Sequence, residues 1–372
     1  MPPEFPAERK RQVLERVSAF LRERVWPSET VLDAGGQAAQ EELARLRGEA
    51  KAEGLWALPL PREIGGGGLG LTEYFSLAEQ EGSSDHGPAA LGSACLLDVR
   101  MFQRFGRPAV KELLKPLVAG EISGSYAMTE PGVAGSDPQA ARTTAVRTSD
   151  GWLLNGRKWF TSGAGSASYV TVLASGSLFV TTDFSVKREI PVLGAAGQFE
   201  IALDDVHVPH DHLLGEEGDG LRIAGTRLAL GRTLRCLRWL GMAERAFDLM
   251  CRRATERQVS GSALADRQLV QQHVFESALA IRSARALTHQ AADLVAAAAD
   301  ARIEIGLAKV AAARTLHQVS DSAIQVFGAE GLGPDTPLPM LARIGRAARI
   351  LDGADEMHVS DTARRLLRTR AD

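Results

Sequence analysis

Asp352 opens the run Asp352-Gly353-Ala354-Asp355-Glu356, a dense carboxylate group set just before an amphipathic terminal segment. Taken by itself this is helix-start chemistry. Asp352 suits an N-cap, Asp355 is a second candidate for that cap, and Asp355 and Glu356 suit the positive end of the helix dipole. Farther upstream, Tyr126-Ala127-Met128-Thr129-Glu130-Pro131-Gly132-Val133-Ala134-Gly135-Ser136-Asp137 mixes backbone-exposing glycines with hydroxyls. Such a loop can donate hydrogen bonds to an anionic or heteroaromatic ligand. It can equally close on itself as a turn through Ser136 or Asp137. His207, His210 and His212 stand among Asp204, Asp205 and Asp211, a set able to ligate a metal. The same stretch reads as a strand end leaving a β domain, and that reading is adopted, with no metal assigned. Residues 65–70 spell Gly-x-Gly-x-x-Gly, but Pro59 and Pro61 precede them and no Lys-Ser/Thr follows. A flexible inter-helix turn is expected there, not a dinucleotide site.

The elements that must carry these groups follow from hydrophobic spacing. Val13, Leu14, Val17, Phe20 and Leu21 recur at helical intervals, and residues 41–53, 72–81 and 108–119 do the same. From 143 to 208 the pattern turns to short β-type runs at 152–154, 169–173, 178–182 and 199–203, separated by the turn dipeptides Asp150-Gly151 and Asn155-Gly156. After Pro209 helical spacing returns in four segments, at about 230–250, 264–299, 301–327 and 357–367. The order predicts an α+β chain: an N-terminal helical domain (1–122), a middle antiparallel β domain (123–212) and a C-terminal four-helix bundle (213–372). Segregated elements exclude a parallel Rossmann sheet, which would alternate strand and helix.

Composition narrows the function classes. The chain has 372 residues, 45% hydrophobic and 24% charged, enough apolar material for a sizeable core without bridges or metals. A net charge of −3 with no long basic run makes nucleic acid an unexpected partner. Cys95, Cys236 and Cys251 are odd in number and far apart, as in a reducing compartment. Residues 1–11 lack the apolar core of a signal peptide, and no apolar stretch approaches the ~20 residues of a membrane span. A cytoplasmic setting without membrane insertion is expected.

The loop at 126–137, followed by Asn155-Gly156-Arg157-Lys158-Trp159-Phe160-Thr161-Ser162-Gly163, closely resembles the flavin-binding face of the acyl-CoA dehydrogenase family. The resemblance runs along nearly the whole chain. It includes Gly54-Leu55-Trp56-Ala57-Leu58-Pro59-Leu60-Pro61, Asp204-Asp205-Val206-His207-Val208-Pro209, Gln325-Val326-Phe327-Gly328-Ala329-Glu330-Gly331 and Ile350-Leu351-Asp352-Gly353-Ala354-Asp355-Glu356. The Ala-Met-Thr-Glu-Pro start and the Asp-Gly-x-Asp-Glu ending are most similar to the branch of family members ten and eleven.

This resemblance implies FAD and α,β-dehydrogenation of an acyl thioester, carried by CoA or by an acyl-carrier protein. Asp352 falls on the base position, where many relatives carry Glu. Tyr126, Met128 and Thr129 are implied at the isoalloxazine edge, Ser136 toward the pyrophosphate, and Phe160, Thr161 and Ser162 as the segment backing the ring and bonding its N5. Arg257 and Gln268, with Gln325, Gly328 and Gly331, match cofactor contacts given by a neighbouring subunit, so a homodimer or homotetramer is implied. Arg232 matches a family arginine near the base, and Gly353 follows the base in the substrate site. Electrons are expected to leave to an external acceptor such as an electron-transfer flavoprotein. Departures from the family pattern are Ser260, Ala329, Ala354 and a short segment at 175–199, where part of the β domain is expected to be trimmed or reorganised. Two other readings compete: a flavin-dependent oxygenase or oxidase on the same fold, and a non-catalytic binding or assembly protein.

Overall fold

The computed structural model describes residues 7–370; the leader reading of the first eleven residues therefore lies mostly outside the described residues. Contacts divide the chain into two compact units. Of the described residues, one comprises 7–27, 71–87 and 229–370, and the other 28–70 and 88–228.

The first unit is helical. Its core lies where the helix Gly220–Glu256, from Ala229 onward, meets Gln268–Ala296 and Arg302–Phe327. Trp239, Leu240, Met242, Ala312, Leu316 and Val319 are each at most 1% exposed, so the apolar stripes read from the sequence face one another. The four expected segments all form, the last as Asp355–Arg368. A further helix, Leu338–Ala348, joins them. Proline in its first turn, where an N–H would lack a partner anyway, disguised it as a loop. Small residues allow close helix crossing: a Cβ at Gly241 would overlap the Glu79 carbonyl oxygen on the helix Leu71–Glu81. Gly241→Ala is therefore expected to lower stability by about 1–3 kcal/mol, read as a shifted denaturant midpoint with an unchanged slope.

The second unit holds two four-stranded sheets. Strands β1 (Gly124–Ala127), β2 (Thr144–Arg147), β3 (Gly151–Ser162), β4 (Tyr169–Ala174), β5 (Ser177–Thr181), β6 (Ser185–Glu189), β7 (Gln198–Pro209) and β8 (Leu213–Leu214) assemble as β1-β4-β5-β8 and β2-β3-β7-β6. Trp152, Leu154, Val170, Val172, Phe179, Ile201 and Leu203 form the core of this unit. Pairing is antiparallel throughout both sheets except between β1 and β4, which run parallel. The chain between those two strands makes β2 and β3 of the other sheet, a crossover long enough for parallel pairing. The outer sheet has four strands, with β6, from the short 175–199 segment, as its edge.

Asp150-Gly151 turns the chain from β2 into β3, with Thr148 N–H donating to Gly151 O at 2.9 Å. Asn155-Gly156, expected as a turn, lies inside β3 at a bulge. Asn155 is fastened across the sheet by reciprocal 2.9 Å bonds with Asp205, and a Cβ on Gly156 would stand 2.5 Å from Thr143 Oγ1. The glycine run at 65–70 is packed, not loose: Gly66, Gly67 and Gly68 N–H groups donate to Pro61, Ala57 and Leu60 carbonyls at 2.8–2.9 Å. His207 pairs with Asp150 at 3.2 Å, and His212 Nδ1 lies 3.1 Å from Val180 O. Among the described residues no three metal-ligating side chains converge, and no helix is long and apolar enough to cross a membrane.

Candidate functional site

In the helical unit the chemistry gathers around Asp352. It does not cap the last helix: that position belongs to Ala354, which has no side-chain acceptor, and Asp355 is the first helical residue. Asp355 is instead a buried anchor, 1% exposed. Its Oδ2 accepts from Arg314 Nε and Arg349 Nε at 3.1 Å each, and Lys309 Nζ lies 3.5 Å from Oδ1. These cations hold its carboxyl below the ordinary range against the opposing effect of burial. Asp355 N–H also donates to Arg349 O at 3.0 Å, which closes the turn over residues 350–354.

Asp352 sits in that turn with φ +56°, a conformation that side chains seldom adopt. Arg232 Nε donates to its carbonyl at 2.9 Å, and His358 Nε2 lies 3.2 Å from the same oxygen. Its carboxylate Oδ2 is 3.4 Å from Arg235 Nε. Gly353 follows at φ +101°, where a Cβ would strike Met357 Cε at 2.5 Å and His358 Nε2 at 2.8 Å. Only glycine fits. Burial pushes His358 down to about 4, so it is neutral at pH 7 and donates Nε2–H to Asp352. Because the folded value lies below the ordinary 6.5, the native state binds fewer protons than the unfolded chain as pH falls from 6.5 toward 4. Stability is thus expected to drop by about 3 kcal/mol across that window. Urea midpoints measured against pH should show the drop in the wild type and lose its His358 part in His358→Gln.

In the β unit, a second constellation surrounds the 126–137 loop. Trp159 N–H donates to Thr129 O at 3.0 Å, and Thr129 Oγ1 donates to Trp159 O at 2.8 Å. The Thr129 hydroxyl is thereby spent inside the protein, while its N–H has no partner among the described residues. Beneath lies a buried ion pair that sequence reasoning missed. Lys158 Nζ donates to Glu130 Oε1 at 2.7 Å and to Met128 O at 3.1 Å. Glu130 further accepts from Arg142 N–H, Thr143 N–H and Thr143 Oγ1 at 2.6–2.9 Å. Against the opposing cost of burial, these donors bring Glu130 down to about 2. The signal was present in the strand alternation, since Lys158 occupies an inward register of β3 between Arg157 and Trp159.

Two hydroxyls beside this loop are buried without partners among the described residues, Thr161 Oγ1 and Tyr126 Oη. Burial pushes Tyr126 up to about 12. The Arg227 guanidinium stacks 4.0 Å above its ring and pairs with Asp98 at 2.9 Å, and Tyr169 Oη donates to the same carboxylate at 3.0 Å. Ser162 Oγ, by contrast, is committed to Gln198 at 3.0 Å. Phe160 is 42% exposed at φ +48°, at the bulge between Lys158 and Thr161, with Trp159 edge-on at 5.0 Å. Met128, Ser136, Asp137, Leu221, Ala224 and Leu228 help to line a cavity of about 360 Å³. Met128 and Ser136, both implied at the cofactor, line this cavity, whose mixed polar and apolar wall suits a heteroaromatic ring with a phosphate tail.

The remaining expected cofactor residues lie on the helical unit. Arg257 and Gln268 are exposed and flank the two-stranded hairpin between their helices; Gln325 and Gly328 are exposed as well. Gly331 is buried, and its missing side chain serves internal packing, since a Cβ would meet Phe327 Cβ at 2.8 Å. Gly328, at φ +70°, has open space where a Cβ would be.

Family models match throughout: acyl-CoA dehydrogenase N-terminal domain over 7–121, middle domain over 125–193 and C-terminal domain over 218–367. FadE2 of Mycobacterium tuberculosis, which carries an acyl-CoA dehydrogenase name, is 37% identical over 94% of this chain and 93% of its own. Acyl-CoA dehydrogenase family member 11 of Mus musculus is 31% identical over 98% of this chain, which spans about half of that relative, 51%. A solved Mycobacterium abscessus chain assigned to the acyl-CoA dehydrogenases superposes with a TM-score of 0.90 at 32% identity, covering 99% of this chain and 100% of its own. The chain belongs to the acyl-CoA dehydrogenase family.

Proposed function

We propose that the protein is an FAD-dependent dehydrogenase of acyl thioesters in which Asp352 removes the α-proton. The observation that carries the reading is the Asp352 turn, a carboxylate fixed in a strained backbone by donors that leave its Oδ1 without a partner among the described residues. Strain kept at one residue by surrounding contacts is a mark of functional positions. When bound, FAD supplies the acceptor for the hydride leaving the β-carbon. Tyr126, Met128, Thr129, Ser136, Phe160, Thr161 and Ser162 would hold it, through the Thr129 N–H and the orphaned Thr161 and Tyr126 hydroxyls. The α-proton of a thioester is weakly acidic, so Asp352 needs a dry site and hydrogen bonds to the thioester carbonyl that strengthen as enolate charge develops. Arg232 and Gly353 keep the base turn in shape on the substrate side.

A second copy of the chain would complete the cofactor's adenosine half through Arg257, Gln268, Gln325 and Gly328. Leu269, Phe275 and Leu279, each more than half exposed on the helix that begins at Gln268, support a homodimer or homotetramer. The acceptor that reoxidises the flavin is proposed to be an electron-transfer flavoprotein. The test is anaerobic bleaching of the yellow protein by a panel of acyl-CoA and acyl-carrier-protein thioesters. Bleaching by some member supports the reading, and no bleaching by any removes it. Substrate-coupled oxygen uptake would assign an oxidase instead, and a colourless protein that cannot take up FAD would assign a binding role.

A further inference from the structure

We propose that Arg235 is the positioning residue that aims the Asp352 carboxylate, a role that rests on Asp352 being the base. Arg232 and Arg235 stand three apart on one helix, so both reach the same side of it. They divide the work. Arg232 Nε and His358 Nε2 engage the Asp352 carbonyl and fix the backbone, which leaves the direction of the carboxylate undetermined. Among the described residues only Arg235 touches that carboxylate, Nε to Oδ2 at 3.4 Å, and Oδ1 is left to take the proton. Asp85 Oδ1 lies 3.9 Å from Arg235 Nη1, a second carboxylate beside the guanidinium.

The other ionisable groups around Asp352 do not substitute for it. Lys309, on Arg302–Phe327, is turned to Asp355. His358, on Asp355–Arg368, is held neutral by burial, and the buried Cys236 thiol, on the same helix as Arg235, is pushed up to about 12. Asp352 and Arg235 side chains are 31% and 36% exposed, a setting in which an ion pair adds little to stability. Without Arg235 a part-exposed Asp side chain would spread over several rotamers. Proton abstraction needs its oxygen within about 3–3.5 Å of the substrate carbon, and an error of about 1 Å costs roughly 10²-fold in rate.

The experiment compares FAD-loaded wild type, Arg235→Gln and Arg235→Lys in anaerobic flavin reduction by butyryl-, octanoyl- and palmitoyl-CoA, with Asp352→Asn alongside. Arg235→Gln should keep its flavin and melting temperature and reduce about 10²-fold more slowly, with thioester affinity within about threefold of wild type. Arg235→Lys should recover part of the rate, because an ammonium can reach the same oxygen. Wild-type rates in Arg235→Gln overturn the proposal. So does a loss of rate that comes together with loss of flavin and melting temperature, which is a structural role. Crystal structures give a readout independent of turnover: Asp352 should leave its rotamer in Arg235→Gln and keep it in Arg235→Lys, and an unmoved Asp352 in Arg235→Gln overturns the proposal. If Asp352→Asn reduces at the wild-type rate, the base assignment fails, and the crystal structures alone decide what Arg235 positions.

Discussion

Asp352→Asn is expected to leave the protein folded and yellow while slowing flavin reduction by a thioester by about 10²–10⁴-fold, the usual worth of a positioned general base. Asn keeps the size of Asp, and the contacts that shape the turn are made largely through the Asp352 carbonyl, which the substitution retains. What disappears is the proton acceptor. Stopped-flow absorbance under argon measures the rate, and the visible spectrum of the purified protein measures flavin content. Normal turnover in Asp352→Asn would refute the base assignment. Loss of flavin together with rate would mean that the turn, and not the carboxylate, is what the residue supplies.

The second large effect is expected at Lys158. Its ammonium is fully buried, and its removal would strand the Glu130 carboxylate, 4% exposed, on neutral donors alone. Breaking one side of a buried pair typically costs about 3–5 kcal/mol, so Lys158→Met should be among the most destabilising changes in the β unit. The double variant Lys158→Met with Glu130→Gln should recover much of that loss, because no charge then remains buried. Calorimetry and denaturant titration of the single and double variants check this; a double variant no more stable than Lys158→Met would show that the pair is not the source. Lys158 also binds the Met128 carbonyl, so the single variant should hold FAD less tightly. Acid reports the same pair. Glu130 sits near 2 when folded against an ordinary 4.5, so its contribution is present above 4.5 and is lost as pH falls from there toward 2.

Much of the architecture is written locally. Short apolar β-type runs at 152–154 and 169–173 and helical stripes at 230–250 and 301–327 specify their elements because each pattern needs only neighbours in the chain. Ordered motifs along the chain point to the family. Punctuation was harder to read. Asn155-Gly156 looks like a turn because Asn-Gly favours one, yet here the Asn side chain reaches across to Asp205 and the glycine makes room for Thr143, so the dipeptide becomes a bulge. Leu338–Ala348 escaped notice because Pro337 and Pro339 mimic a loop, although one is the N-cap and the other lies in the first helical turn, where proline is tolerated.

The site divides in the same way. Asp352 stands out in one dimension, but its local context, a carboxylate run before a helix, argues for a cap. Only the folded chain takes it out of that role, by making Ala354 the cap position and setting Arg349, Arg314 and Lys309 around Asp355. Strand alternation marks Lys158 as inward, but the pairing of Arg235 and His358 with Asp352 and of Lys158 with Glu130 was not legible, because no sequence period links partners chosen by packing. The sequence by itself determined which segments become helix or strand and which family pattern they follow, since those depend on neighbours in the chain. Tertiary structure decided which charges meet and which hydroxyls are left without partners, because desolvation and hydrogen-bond satisfaction are settled only when distant segments pack together.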